Sequence, residues 1–403
     1  MYGSTHHLIF REHLTKAPKD ANIKNGYHSE PEILKIEHMH LTSDQSHQLD
    51  SIRGFSAIMV LIGHAYTTFM YPTVKFGYTA SGILTQTSVM IFFVLSGFLI
   101  GLSIKENKRR NGRFSIKQYA FGRMNRVYPP LIASVLIVWL LNAASNFSFP
   151  SGSEKFISIP GYGSIRDGYE FSFLQSIGSA AFLNGFLTST PSSNGPLWSL
   201  SFEVWYYVFA ASLAIAKSRP ALSVALIFLS LLITSRNLDF FILAPVWACG
   251  FWMSTKTQNH FTSNNKAYFS AFCIASIIFA LTILTTISGE QTNRIEWTRN
   301  MTTCKLTGGA WFSLIMALIL SGKLSIPKAF SASAKYSYTL YLIHFPVMLF
   351  MFGCTQKLIV GNTAYSAIMY TASIMIIVFL SYSLSLIVEN RALISRIIRT
   401  SNT

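Results

Sequence analysis

The chain has 403 residues, 51% of them hydrophobic and only 12% charged, with a mean hydropathy of +0.39. That composition excludes an ordinary soluble domain and a disordered chain, and it marks a polytopic membrane protein. The formal net charge of +16 is what a membrane protein acquires by gathering Lys and Arg in the loops of one side, so it calls for no nucleic-acid partner, and none is expected.

Residues 1–48 are polar and hold seven of the ten histidines, His6, His7, His38 and His40 among them. They lack the apolar run of a signal peptide and read as a cytoplasmic tail of uncertain order. Their histidines have no fixed ligand spacing, so no metal site is expected. Beyond the tail the sequence predicts an all-α membrane helix bundle over residues 49–390. About ten transmembrane helices are placed near 54–71, 88–104, 127–143, 197–216, 221–235, 238–255, 267–287, 308–321, 336–353 and 364–388. A further apolar stretch, Phe171 to Leu187, is broken by Gly178 and Gly185 and is either an eleventh span or an interfacial or re-entrant piece. With ten crossings both termini are cytoplasmic, and the Lys and Arg beyond residue 50 sort into 19 inside and 8 outside. An eleventh crossing would send the short basic C-terminus, residues 391–403, outside, against the positive-inside rule. Cys249, Cys273, Cys304 and Cys354 are scattered without metal or redox spacing and read as small buried hydrophobes.

Few ionisable residues interrupt these spans, and each needs a reason, because a charge at mid-span costs about 2.5–3.5 kcal/mol on insertion scales. Arg53 and His64 stand eleven residues apart. On a helix that is about 16 Å of rise and about 20° of net rotation, so they share one face. His344 in "YSYTLYLIHFPVMLF" is the other histidine within a span, and Glu203 in "NGPLWSLSFEVWYYVF" is the acid well inside one. Counting about 1.5 Å per residue from the span ends places His64, His344, Glu203 and Ser96 in the central layer of a core about 30 Å thick. Taken singly, each landmark has a plainer reading. A transmembrane His bonds to a neighbouring helix, Gly97 is small-residue packing, Arg53 snorkels, Arg123 and Arg126 follow the positive-inside rule, and Trp198 joins an aromatic belt. These residues by themselves leave a transporter and an intramembrane enzyme both open.

Five stretches taken in order are more specific: Arg53, ten residues, then His64; "FFVLSGFLI"; Arg123 and Arg126 in "RMNRVYPP"; "LWSLSFEVWYY"; and "YSYTLYLIHFP". Together they resemble the acyltransferase-3 family of integral-membrane acyltransferases, with landmarks from about residue 49 to 390. The resemblance implies transfer of an acyl group, usually acetyl, from cytoplasmic acyl-CoA to a carbohydrate hydroxyl of lipopolysaccharide O-antigen, exopolysaccharide or another envelope glycan. Acetyl-CoA would be a co-substrate, with no permanently bound cofactor, and the setting a bacterial inner membrane. Arg123 and Arg126 would clamp CoA phosphates, with Arg53 a further contact at the cytoplasmic mouth. His64 would be the general base, and Glu203 would orient an imidazole or hold the acceptor. Ser199 lies four residues before Glu203 on the same helix face. Trp198, Tyr341 and His344 are expected to bind substrate or to support the site. Ser96 is expected to be structural, since no base is placed beside it. The extracytoplasmic esterase-like domain of some members is not expected here, and the membrane domain would then transfer alone or hand its acyl group to a partner enzyme of a glycan pathway. The competing reading is a flippase or transporter of a glycan intermediate, with His64 and Glu203 as a proton relay.

Overall fold

The computed structural model describes residues 41–157, 168–289 and 294–390. Most of the polar tail, the basic C-terminus and the middle of the long loop holding Arg166 lie outside these residues. The described chain is helical. Helix α1 (Ser43–Ala65) runs through a π-helical turn (Tyr66–Met70) into α2 (Tyr71–Val74). There follow α3 (Tyr78–Asn111), α4 (Ile116–Ser148), the short α5 (Phe173–Ala180), α6 (Leu197–Ile215), α7 (Pro220–Thr234), α8 (Leu238–Thr255) and the short α9 (Gln258–Ser263). The last four are α10 (Asn265–Ser288), α11 (Arg294–Leu320), α12 (Ser337–Ile359) and α13 (Thr363–Val388). Among the described residues the only β pairing is two isolated bridges.

Each of the ten expected spans falls on a helix, and seven helices are long and apolar enough to cross a membrane. The three others explain themselves. Asp44, Asp50 and Arg53 dilute α1, Glu203 and several hydroxyls dilute α6, and α7, with 15 residues, is about 22 Å long against a core of about 30 Å. The stretch from Phe171 to Leu187 makes only the eight-residue α5, capped by Ser172 and Gln175, which at about 12 Å is too short to cross. Several helices outrun their apolar runs. Helix α1 begins at Ser43, inside the expected tail, because Thr42 and Gln45 form a capping box. Helix α11 begins at Arg294, so residues expected in a loop, Lys305 among them, are helical.

Two packing devices position the site. Helices α3 and α8 cross with backbones almost touching: a Cβ on Gly97 would run into the Trp247 carbonyl, and one on Gly250 into that of Val94. Around this crossing lies the larger core, with Met90, Phe93, Phe98, Phe202, Phe240 and Met316. The second device is the segment of residues 321–336, which straps the first turns of α1. Ser51 Oγ donates to the Pro327 carbonyl (2.7 Å), Ile326 N donates to Gln48 Oε1 (2.9 Å), and Lys328 pairs with Asp44, holding that carboxyl below the usual range. Gln45 reaches the Ile319 and Leu320 carbonyls at the end of α11. Opposite this compact interior, α7, α10 and α13 turn Phe228, Leu232, Ile277, Leu281, Met375 and Phe379 outward, the apolar surface a bilayer covers.

Candidate active site

At the end of the bundle where α1 and α12 begin, charges collect in the interior. The Arg53 guanidinium pairs with Asp50 at 3.2 Å and donates to the Ala334 carbonyl at 2.9 Å, while its field reaches Arg126 and Glu389. Arg123 donates to Ser103 Oγ at 3.3 Å. The Nε atoms of both Arg53 and Arg123 are buried and make no hydrogen bond among the described residues. Glu389, at the end of α13, accepts from the Thr339 amide (3.0 Å) and hydroxyl (2.5 Å), so an acid caps the first turn of α12. Glu203 belongs to this cluster. The Ser96 and Tyr207 hydroxyls lie beside its carboxyl, and Arg126 and Arg123 act on it through space. Ser96 in turn accepts from Trp247 Nε1 (3.3 Å) and donates to Tyr207 (3.1 Å), which ties the Gly97 crossing to the acid.

One layer further in, the imidazoles of His64 and His344 stack with centroids 5.4 Å apart and planes 28° from parallel. His344 is 1% exposed, and its Nδ1 lies 2.8 Å from the Tyr341 carbonyl and 3.1 Å from that of Leu340. Carbonyls only accept, so Nδ1 carries the proton and the tautomer is fixed. His64 is held from the other side. Ser81 Oγ donates to the Gly63 carbonyl at 2.7 Å, a Cβ on Gly63 would meet Thr85, and Thr67 of the π-helical turn donates to the His64 carbonyl at 3.0 Å. π-helical turns inside α-helices are frequent at functional sites. Phe345 closes edge-on against His64 at 5.3 Å.

Helix α6 joins the two layers. Ser199 Oγ and Tyr341 Oη are 2.5 Å apart, Tyr341 Oη donates to the Pro196 carbonyl (3.2 Å), and the Tyr341 ring is 5.9 Å from that of His344. Helix α6 thus starts inside the bundle rather than at its outer face, because the segment before it is buried. Asn194 is fully covered and donates to Ser134 Oγ (3.1 Å) and the Leu342 carbonyl (3.0 Å). This moves Glu203 out of the layer that residue counting gave it. From Ser199, beside Tyr341, it lies a further four residues along α6, about 6 Å toward the arginines, and Tyr338, at the start of α12, lies in its field. The structure therefore brings His64, His344, Tyr341 and Ser199 together and gathers Arg53, Arg123, Arg126, Glu203 and Ser96 one layer below. Trp198 packs in the core against Phe93 (6.3 Å) and Phe202 (5.1 Å) rather than in an interfacial belt.

Three residues of this neighbourhood escaped the sequence reading: Asp50, Tyr207 and Glu389. Asp50 had a signal, its i,i+3 spacing to Arg53. Glu389 had none, since only the return of α13 brings it to α12.

Comparison with known proteins gives the arrangement its family. No curated protein and no solved structure matches the chain. Residues 46–388 match the acyltransferase-3 family, described as an acyltransferase domain. The match spans every helix carrying a residue of the site, and the chain belongs to the acyltransferase-3 family of membrane acyltransferases.

Proposed function

We propose that the chain is an O-acyltransferase that moves an acyl group, acetyl in the first instance, from cytoplasmic acyl-CoA to a hydroxyl of a cell-envelope or exported carbohydrate. Both termini would face the cytoplasm of a bacterial inner membrane. The observation that carries this reading is the stacked pair His64 and His344, one layer above three interior arginines. The lower layer fits a phosphate-bearing donor. Among the described residues Arg53 and Arg123 keep buried Nε donors without acceptors, and guanidinium groups bind phosphate as charge-assisted pairs. Glu203 then works on the donor side, steadying Arg123 and Arg126, rather than orienting an imidazole. An acyl arm rising from the arginines would reach the histidine pair after about 16 Å, the axial distance from Arg53 to His64.

His64 accepts the proton of the acceptor hydroxyl as that oxygen attacks the thioester carbonyl. The new C–O bond forms, the C–S bond breaks, and the departing thiolate takes up a proton. His344, with Nδ1 committed to two carbonyls, holds the plane against which His64 stacks. Thiol release from acetyl-CoA by purified membranes tests the assignment. His64→Ala is expected to lower kcat by about 100-fold or more while acetyl-CoA binding is kept. Full activity in a correctly inserted variant would overturn the mechanism. Acceptor-independent radiolabel on the wild type, lost in His64→Ala, would make the imidazole an acyl carrier instead of a base.

A further inference from the structure

Lys305 is the one charged residue in the last twenty of α11, near the middle of that apolar helix. A lysine in such a place ordinarily runs its ammonium to the nearest interface or pairs with an acid. Lys305 does neither. Its Nζ stands over the Trp198 ring, 5.9 Å from the centroid. Asp239, in the first turn of α8, attracts it from beyond ion-pair distance, and among the described residues the ammonium makes no hydrogen bond or salt bridge. Lys305 and Trp198 both keep part of their surface accessible. Trp198 is also adjacent in sequence to Ser199, whose hydroxyl meets Tyr341, and Tyr341 lies against His344. The cation therefore stands beside the first turn of α6, the turn that carries Ser199, and no arginine of the donor side is among the charges that act on it.

We infer that Lys305 and Trp198 form the acceptor subsite, and that the acceptor presents an acidic group, a carboxylate or a phosphate, to Lys305 while its sugar ring lies on Trp198. This inference rests on the transfer reading above. An indole face suits the apolar face of a sugar ring, and an ammonium held in a low-dielectric wall, with no carboxylate of the described residues within ion-pair distance, favours an anion from outside.

Titration calorimetry on the full chain in lipid nanodiscs, with CoA saturating so that the arginines are occupied, tests it. The probes are glucuronic acid, glucose 1-phosphate and methyl glucoside. At least one acid is expected to bind about tenfold or more tightly than methyl glucoside, and which acid does so separates carboxylate from phosphate. Lys305→Met should bring the acids down to the level of methyl glucoside, Lys305→Arg should keep the preference, and Trp198→Ala should weaken all three probes. Absence of preference in the wild type, absence of all sugar binding, or a preference that survives Lys305→Met overturns the assignment. Acetyl-CoA binding to wild-type protein is read separately. If that is absent, the transfer reading itself fails, whereas a bound donor with indifferent sugars removes only the Lys305 subsite.

Discussion

The two stacked imidazoles are built differently, and the difference can be measured. His344 is sealed in the interior and gives its Nδ1 proton to backbone carbonyls, so its loss leaves a void and removes a buried hydrogen bond. His344→Ala is expected to cost about 2–5 kcal/mol of stability, seen as a lowered unfolding temperature in detergent. His64→Ala, at a half-buried position, should unfold close to the wild type while losing turnover. On the donor side, Arg123→Ala should raise the KM for acetyl-CoA about tenfold to hundredfold, with little change in the KM for the acceptor, because a charge-assisted phosphate contact contributes about 1.5–3 kcal/mol. Unchanged donor kinetics in an inserted variant would remove Arg123 from the site. The common face of Arg53 and His64 was legible because helical periodicity needs no partner to be read. The height of Glu203 was not, because it depends on where the buried run ending at Pro196 delivers the start of α6. Lys305 was hidden for a similar reason: the polar and small residues of "TTCKLTGG" look like a loop until Arg294 is seen to open a helix.

At the scale of elements, the crossing of α3 and α8 holds Ser96 and Trp247 in register with Glu203. Both helices are stripped to glycine at Gly97 and Gly250, with backbone facing the missing side chains. Gly97→Val and Gly250→Val should each destabilise the bundle by at least about 1–3 kcal/mol, since the obstruction is main chain and cannot rotate away. Gly122→Val, whose added side chain meets open space, is the matching control for thermal unfolding. Gly97 in "LSGFL" was readable as helix packing, but its partner Gly250 on α8, 153 positions away, was not. The π-helical turn after His64 was equally invisible, since Tyr66 to Met70 carries no residue that forbids an α-helix.

For the whole molecule, the last turns of α3, the first turns of α4 and the strap of residues 321–336 carry much of the basic charge, Arg109 and Arg110 being paired with Glu106. Cysteines introduced at Asn111 and Ser331, in a chain freed of its four native ones, are expected to react only from the cytoplasm, and one at Ser151 only from outside. Opposite labelling of Asn111 and Ser331 would overturn the ten-crossing arrangement. The membrane class and the helical state of each apolar run were legible because apolar run length is a one-dimensional property, whereas the strap was not, being polar chain that gains order only from α1. That strap also bears on how the protein is made. The partners of Gln45, Ser51 and Arg53 lie 274 to 281 positions downstream, so the first helix leaves the ribosome long before they exist. Nascent α1 must wait in the membrane with its guanidinium matched only by Asp50 of the same helix, a natural client for an insertase or a quality-control protease. Chains terminated at Leu320 should therefore be degraded faster in pulse-chase than chains carried through α12, even though both contain every helix from α1 to α11.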